Sequence, residues 1–375
     1  MKKKLKPVQT AVISLNAAAV VSALILTAVG NSMAHSQRYN YAAERWQGDS
    51  DEHYSQVSCF FSEDAGFSTD SVNSVRQQIN TALKNAAYDT TAMSKPFSDS
   101  YSSYVGIYDT RSEINGRAQA EINAVGGDFF LIHNYELIHG SYISQDDLMQ
   151  DGAVIDSELA WNLYGSDDVA GMSIYINGIQ CYISGIIKSS SGKTEKECAG
   201  ENPKAFISYT TASSLSMNSS SFGEPQMNKF SRITCYECIM PEPVENFGTS
   251  TMQTAVADSY KDKVSLVSNS KRFSSSVRTK AMKNISKSVV RNDGIRLPYW
   301  ENASRITEFR ITFLYTARKY ILFIPFLTLL YFIVKGFILY QKYKGRMKQN
   351  VTGFFEKKLA DIKRKKTNND ERTQP

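Results

Sequence analysis

The sequence predicts an α+β extracytoplasmic domain, a split βαβ-like layer with a β-rich inserted subdomain, held by two transmembrane α-helices. Three observations carry that prediction. Two long apolar segments lie near the ends of the 375-residue chain, basic residues cluster outside them, and two strand–helix–strand patterns flank a stretch of alternating strands.

Residues 1–10 form a basic N-terminus. Between Lys6 and Arg38 there is no Asp, Glu, Lys or Arg. Within that gap "AVISLNAAAVVSALILTAVG", residues 11–30, would reach about 30 Å as a helix, enough for the hydrocarbon core of a bilayer. A cleaved signal peptide is the alternative, because "NSMAHS" offers small residues before a cut after Ala34. The second segment, "YILFIPFLTLLYFIVKGFILY", is residues 320–340. Its one charge, Lys335, lies near the basic end and can snorkel to the headgroups. Pro325 would kink the helix, which packed membrane helices tolerate. Lys342, Lys344, Arg346 and Lys348 open a basic tail, residues 341–375. Basic flanks mark the cytoplasmic side, so both termini are expected inside the cell membrane and residues 31–319 outside.

The net charge of +6 does not indicate nucleic acid. The first six residues carry +4 and the last 35 carry +7, which leaves −5 for the body between them. A nucleic-acid binder would place its positive charge on the folded face that meets phosphate. The expected basic-end partner is instead the lipid membrane.

Residues 55–125 and 230–290 are read as the α+β layer. "SQVSCFFS" (55–62) alternates like a strand, and "DSVNSVRQQINTALKNAA" places Val72, Val75, Ile79, Leu83 and Ala86 on one helical face, with Asp70 or Ser71 as cap. "SYVGIYDT" (103–110) is a second strand. The pattern recurs as strand "RITCYECIM", helix "TSTMQTAVADSYK" with Met252, Val256 and Tyr260 in a stripe, and strand "KVSLVS". Two such units far apart in sequence suggest the split βαβ arrangement. Residues 126–229 are the β-rich insert. "GAVIDSELAWNLYG" starts as a strand and continues as a helix, and "MSIYINGIQCYISGIIK" is a hairpin around "NG". Serine-rich loops, 189–193 and 213–221, border it. Residues 295–319 have helical spacing after Pro298 and extend the second membrane helix outward as a stalk. The tail "KKLADIKRKKTNNDERTQP" is expected to be disordered or to lie on anionic lipid.

The chain has five cysteines, so at least one is unpaired on an oxidising side. Cys235 and Cys238 fall three apart on a strand and point to opposite faces, so they should not pair. A long-range pair, Cys59 with Cys235, is the candidate disulfide.

Motifs for chemistry are sparse. "HNYELIH" brings His133, Glu136 and His139 within seven residues. Neither a helix nor a strand gathers all three on one side, so these are read as loop or surface histidines, not metal ligands. Asp146, Asp147, Asp151, Asp156 and Glu158 have the spacing of a solvated loop and a helix start. "SSGKT" (190–194) lacks the first glycine of a P-loop, and no G-x-S-x-G elbow occurs. Tyr299 and Trp300 in "PYWE" are expected to pack in the stalk, with the membrane interface as the other setting for Trp300. No catalytic residue, cofactor or metal site is assigned.

The region "GGDFFLIHNYELIHGSYISQDDLMQDGAVIDSELAWNLYGSDDVAGMSIYINGIQCYISGII" resembles the periplasmic core domain of MacB-type ABC transporter permeases. The elements that carry the resemblance are Phe129 and Phe130; Leu137, Gly140 and Asp146; Ala153 to Ile155, Glu158, Leu159, Ala160 and Gly165; Gly171, Ile174, Ile176 and Gly178; and Tyr182 and Gly185. "YECIMPEPVENF" and "PYWENASRITE" are similar to segments of a clostridial branch of such permeases. Family members have four membrane helices, three of them after the outer domain, whereas here one apolar segment follows it. The resemblance therefore implies a noncatalytic membrane subunit of an ABC-type transport or mechanotransmission system. An ABC ATPase would act in trans, and a second permease subunit or a homo-oligomer are further expected partners. A membrane-anchored scaffold or sensor without transport is the alternative. Within the insert, Gly140, Gly165, Gly171, Gly178 and Gly185 are the expected fold-defining positions, because each follows or joins an element where a Cβ could obstruct a turn.

Overall fold

The computed structural model describes residues 6–88, 95–144, 146–190, 192–218, 230–284 and 294–370. Parts of the basic N-terminus (1–5), of both serine-rich loops (191 and 219–221), of the second layer segment (285–290) and of the tail (371–375) lie outside the described residues. The chain divides into two compact units, residues 29–315 and residues 1–28 with 316–375.

Helix α1 (Pro7–His35) is followed by a short turn, Arg38–Tyr41, then α2 (Ala42–Gln47) and strand β1 (Tyr54–Phe61). Helix α3 (Thr69–Asn85) follows. Its cap is Ser68, not Asp70 or Ser71: the Ser68 N–H donates to Ser71 Oγ at 3.3 Å. Val72, Val75, Ile79 and Leu83 are buried on one face, each worth about 1.5–3 kcal/mol of apolar burial. Two long strands, β2 (Ser98–Ser112) and β3 (Arg117–Gly127), form a hairpin. Then come α4 (Phe129–His133), β4 (Leu137–Gly140), β5 (Gly152–Asp156), α5 (Ser157–Tyr164), β6 (Ser173–Ile176), β7 (Ile179–Ile187), α6 (Lys193–Ala199), β8 (Lys204–Ser208) and α7 (Tyr209–Asn218). The chain returns through β9 (Cys235–Pro241) to α8 (Phe247–Met252), a π-helical turn at Gln253–Ala257, α9 (Asp258–Tyr260) and β10 (Val264–Ser268). Helix α10 (Ser275–Ala281) and the long α11 (Tyr299–Asp370) complete it. The tail is thus helical as far as Asp370, against the first of its two expectations, disorder or a place on anionic lipid.

The strands form one sheet in the order β10–β1–β9–β2–β3–β8–β5–β7–β4. β9 runs antiparallel between β1 and β2, and β1 runs antiparallel between β10 and β9. So β1–α3–β2 and β9–α8–β10 are parallel units, each with a strand of the other inserted between its own two. That is an interlocked split βαβ layer. Its helices cover one face, where Ile79, Leu83, Met252 and Val256 meet Val57, Phe61, Tyr236 and Met240.

The β-rich part is continuous with this layer and is not a separate sheet. β2 is long enough to serve both. Its start, Ser98–Ser102, pairs with β9, and its end, Thr110–Ser112, pairs with β6. A register shift between Tyr104 and Gly106 marks a bulge, and bulges bend strands. β6 also pairs with β7, which closes a ring of β2, β3, β8, β5, β7 and β6. Alternate residues of the ring, among them Ile122, Ile155, Ile174, Ile183 and Ile207, share one buried cluster with Leu159 and Leu163 of α5 and Leu215 of α7. The β6–β7 turn has Asn177 at φ 46° and Gly178 at φ 83°, the positive pair that a two-residue hairpin turn needs.

In the other unit, α1 buries Ala19 and Ala23 and exposes Ile13, Leu15, Val20, Val21, Leu24 and Ile25. Arg318 donates to Thr27 Oγ1 at 3.1 Å. Along α11 the residues from Phe323 to Tyr340 present large exposed apolar side chains. Helices Pro7–His35 and Tyr299–Lys344 are long and apolar enough to cross a membrane.

Candidate functional site

The most concentrated buried chemistry in residues 29–315 lies where the first turns of α11 meet the sheet. Arg272 follows β10 and is 2% exposed at its side chain, and Glu301, in the first turn of α11, is fully buried. Arg272 donates to both carboxylate oxygens of Glu301, at 2.7 and 2.9 Å. It also donates to Glu308 Oε2 at 3.1 Å, Asn269 Oδ1 at 3.0 Å and Asn40 Oδ1 at 3.1 Å. Only its Nε–H lacks a partner among the described residues. Arg305 donates to Glu301 Oε1 at 2.7 Å, and Arg278 pairs with Glu308 at 2.6 Å. Tyr39 donates its hydroxyl to Glu301 Oε2 at 2.6 Å. Such a bidentate, charge-assisted arrangement fixes orientation as well as distance.

Burial by itself would raise the Glu301 carboxyl. The Arg272 charge and its hydrogen bonds, with Arg305 and Tyr39, outweigh this and hold the group below its ordinary value. Burial would lower Arg272, but Glu301 and Glu308 keep it well above its ordinary value. Both therefore stay charged. The Tyr39 hydroxyl is pushed well up, first by burial and then by the Glu301 charge, and remains a donor.

From this centre the network runs into the sheet. Asn269 Nδ2 donates to Ser58 Oγ at 2.8 Å, and Ser58 donates to Glu237 Oε1 at 3.0 Å. His133 Nε2 stands 2.6 Å from the other Glu237 oxygen. The His133 ring is stacked on Phe129, with centroids 4.1 Å apart, and on Tyr39 at 5.6 Å. Trp300 of α11 meets it edge to face at 4.6 Å. Tyr299 and Tyr135 hydrogen-bond through their hydroxyls at 2.6 Å. The first turns of α11 are therefore held by ions and covered by aromatic rings. The arrangement has no exposed nucleophile or converging metal ligands among the described residues.

His133 thus corrects the surface reading of the histidines: it is buried at the end of α4, while His139 on β4 is half-exposed. Asp156 was read as part of a solvated helix start. It is buried and caps α5, accepting from Leu159 N at 2.8 Å and Lys204 N at 3.0 Å. Burial raises its carboxyl to about 6 against those two bonds. Tyr299 and Trp300 are buried against Phe129 and Phe206.

The predicted glycines do not join this network. Gly140 and Gly185 are places of close approach: an added Cβ would stand 2.2 Å from the Ser184 carbonyl oxygen at the first and 2.4 Å from that of Ser141 at the second. At Gly165, Gly171 and Gly178 a Cβ would meet nothing within 4 Å. Obstruction is not their constraint; their backbones have φ of 70°, 86° and 83°. The expected bond between Cys59 and Cys235 is not formed, and all five cysteines are free thiols. Cys235 pairs in register with Phe60, one residue from Cys59. The two thiols consequently project to opposite faces of the sheet, into different clusters.

The model of the MacB-like periplasmic core domain matches residues 14–234, more than half of the chain. The chain belongs to the MacB-like periplasmic core domain family. Its similarity to the macrolide export ATP-binding/permease protein MacB of Haemophilus ducreyi is 32% identity over 109 residues, covering 28% of this chain and 15% of that protein. Among solved structures, the periplasmic region of MacB from Actinobacillus actinomycetemcomitans aligns at 14% identity and a TM-score of 0.36, covering 58% of this chain and 89% of that one. The extracellular domain of the noncanonic ABC-type transporter YknZ from Gram-positive bacteria aligns at 12% and 0.36, covering 56% and 99%. A domain of a permease protein from Porphyromonas gingivalis aligns at 12% and 0.32, covering 57% and 88%. The Arg272–Glu301 centre of this MacB-like chain lies beyond the residues matched to the family model.

Proposed function

We propose that the chain is a noncatalytic membrane subunit of an ABC-type transport or mechanotransmission system, with the ATPase supplied in trans. The observation that carries this reading is the buried Arg272–Glu301–Tyr39 centre. It fastens the first turns of α11 to the sheet of a MacB-like domain, so those turns and the outer domain would move together. The apolar segments 11–30 and 320–340 would cross the cell membrane with both termini cytoplasmic, and the two small-residue contacts of α1, Ala19 and Ala23, suit a packed helix in lipid. The partners on this reading are an ABC ATPase, a second permease subunit or second copy, and the bilayer. Membership of the MacB-like family supports it.

A scaffold or sensor without transport is the second reading, favoured by the count of two candidate spans among the described residues. Cross-linking in native membranes, mild-detergent purification of the tagged chain and mass spectrometry separate the two. An ABC ATPase is expected to co-purify at near-stoichiometric yield. Recovery of the chain with envelope proteins and no ATPase would refute the transport reading.

A further inference from the structure

A cavity of about 210 Å³ lies beside the buried network, with His133, Tyr39, Tyr135 and Trp300 among its walls and Arg38 and Lys188 at its exposed side. Its volume equals that of roughly seven liquid waters and is smaller than pockets for drug-sized molecules, about 300–1,000 Å³. His133 is 94% buried, with 6% exposure. Its Nε2 is engaged by Glu237, and Nδ1 has no hydrogen bond among the described residues. A carboxylate on Nε2 fixes the ring proton there, so in the neutral imidazole Nδ1 offers a lone pair to a donor. Arg38 is exposed and has no ion pair among the described residues. Lys188 pairs with Glu136 at 3.2 Å, whereas Glu195 accepts from the neutral Ser190 hydroxyl at 3.0 Å, so Arg38 and Glu195 are the cation and the anion of the lining that have no ion pair among the described residues.

We propose that this cavity binds a free α-amino acid, its ammonium group donating to His133 Nδ1 and its carboxylate held by Arg38. A small molecule with one donor end, one anionic end and a compact body matches the three features together. A simple anion would leave the Nδ1 acceptor unmatched, and a simple cation would leave Arg38 unmatched. Because Tyr39, His133 and Trp300 also hold the first turns of α11, occupancy would be felt at that joint. The site stands independently of the transport reading, since binding is read on the purified chain alone.

The test is calorimetric titration of the full chain in lipid nanodiscs with each of the twenty common amino acids. At least one is expected to bind saturably at one site per chain. Its N-acetyl and methyl-ester forms should bind about tenfold more weakly or worse, as loss of one charge-assisted bond implies. Arg38→Gln should weaken binding by about tenfold. Gly192→Phe should abolish it by filling the space. An added Cβ at Gly192 meets only Glu195 at 3.6 Å, so this variant is expected to melt as the unaltered chain does. Absence of saturable binding for all twenty would overturn the proposal. So would equal affinity for the ester, or binding retained in both variants.

Discussion

Replacing Arg272 with methionine is expected to destabilise the unit of residues 29–315 by about 3–5 kcal/mol, because it removes the bidentate partner of the buried Glu301, leaving that carboxylate only Arg305, and one of the two cations on the half-buried Glu308. Glu301 is fully buried, and Glu308 also accepts from Arg272. A charge stranded in that setting costs far more than the net worth of the pair. For a domain of this size the melting temperature should fall by roughly 10 °C. Arg272→Met combined with Glu301→Leu should recover part of the loss, since replacing both partners of a buried pair by apolar groups is often close to neutral. Thermal melting of the two single variants and the double variant gives the coupling. Equal melting temperatures for Arg272→Met and the unaltered chain would show that the pair is solvated and not structural.

Gly140→Val is expected to have the second large effect. Its φ is +78°, a region where a β-branched residue is strained, and the new Cβ would stand 2.2 Å from the Ser184 carbonyl oxygen. Backbone strain of about 1–3 kcal/mol then adds to displacement of β7 from β4. Gly165→Val should cost only the strain, about 1–3 kcal/mol, because nothing lies within 4 Å of a Cβ there. Urea titration of both variants compares them directly. The account requires a clearly lower midpoint for Gly140→Val, and the reverse order would contradict it.

The sequence made the layer legible where burial is one-sided. The one-sided stripe of α3 lies at its predicted position and the "NG" hairpin is β6–β7; β1 and β9 fall on their predicted segments although both of their faces are buried. Other elements gave weaker signals. β3 does alternate, with Arg117, Gln119, Glu121 and Asn123 against Ala118, Ala120, Ile122 and Ala124, but three of its four inward residues are alanines, which are depleted in strands. β8 is five residues, all buried, so it has no alternation to read. The ring closure depends on a bulge in β2 and on pairing between strands distant in sequence, which periodicity does not encode.

The joint was less legible than the layer. Arg272, Glu301, Glu308 and Tyr39 lie in four separate positions of the chain and become neighbours only when α11 packs on the sheet. One signal was present. Glu237 stands inside "CYECIMP", where every residue is buried, and a lone carboxylate in an otherwise apolar strand demands a buried partner. "PYWE" offered another, since Glu301 directly follows two large aromatics. His133 was misplaced because "FFLIH" folds as a one-turn helix before β4, which turns the imidazole inward.

Native-state hydrogen exchange, followed by mass spectrometry on the full chain in nanodiscs, tests most directly whether the first turns of α11 are fixed to the sheet. Amides of residues 301–312 are expected to exchange as slowly as those of β1, residues 54–61, and to lose that protection in Arg272→Met while β5 and β7 keep theirs. Fast exchange of residues 301–312 in the unaltered chain, with β1 protected, would mean that α11 opens independently of the outer domain, and the two would not move together.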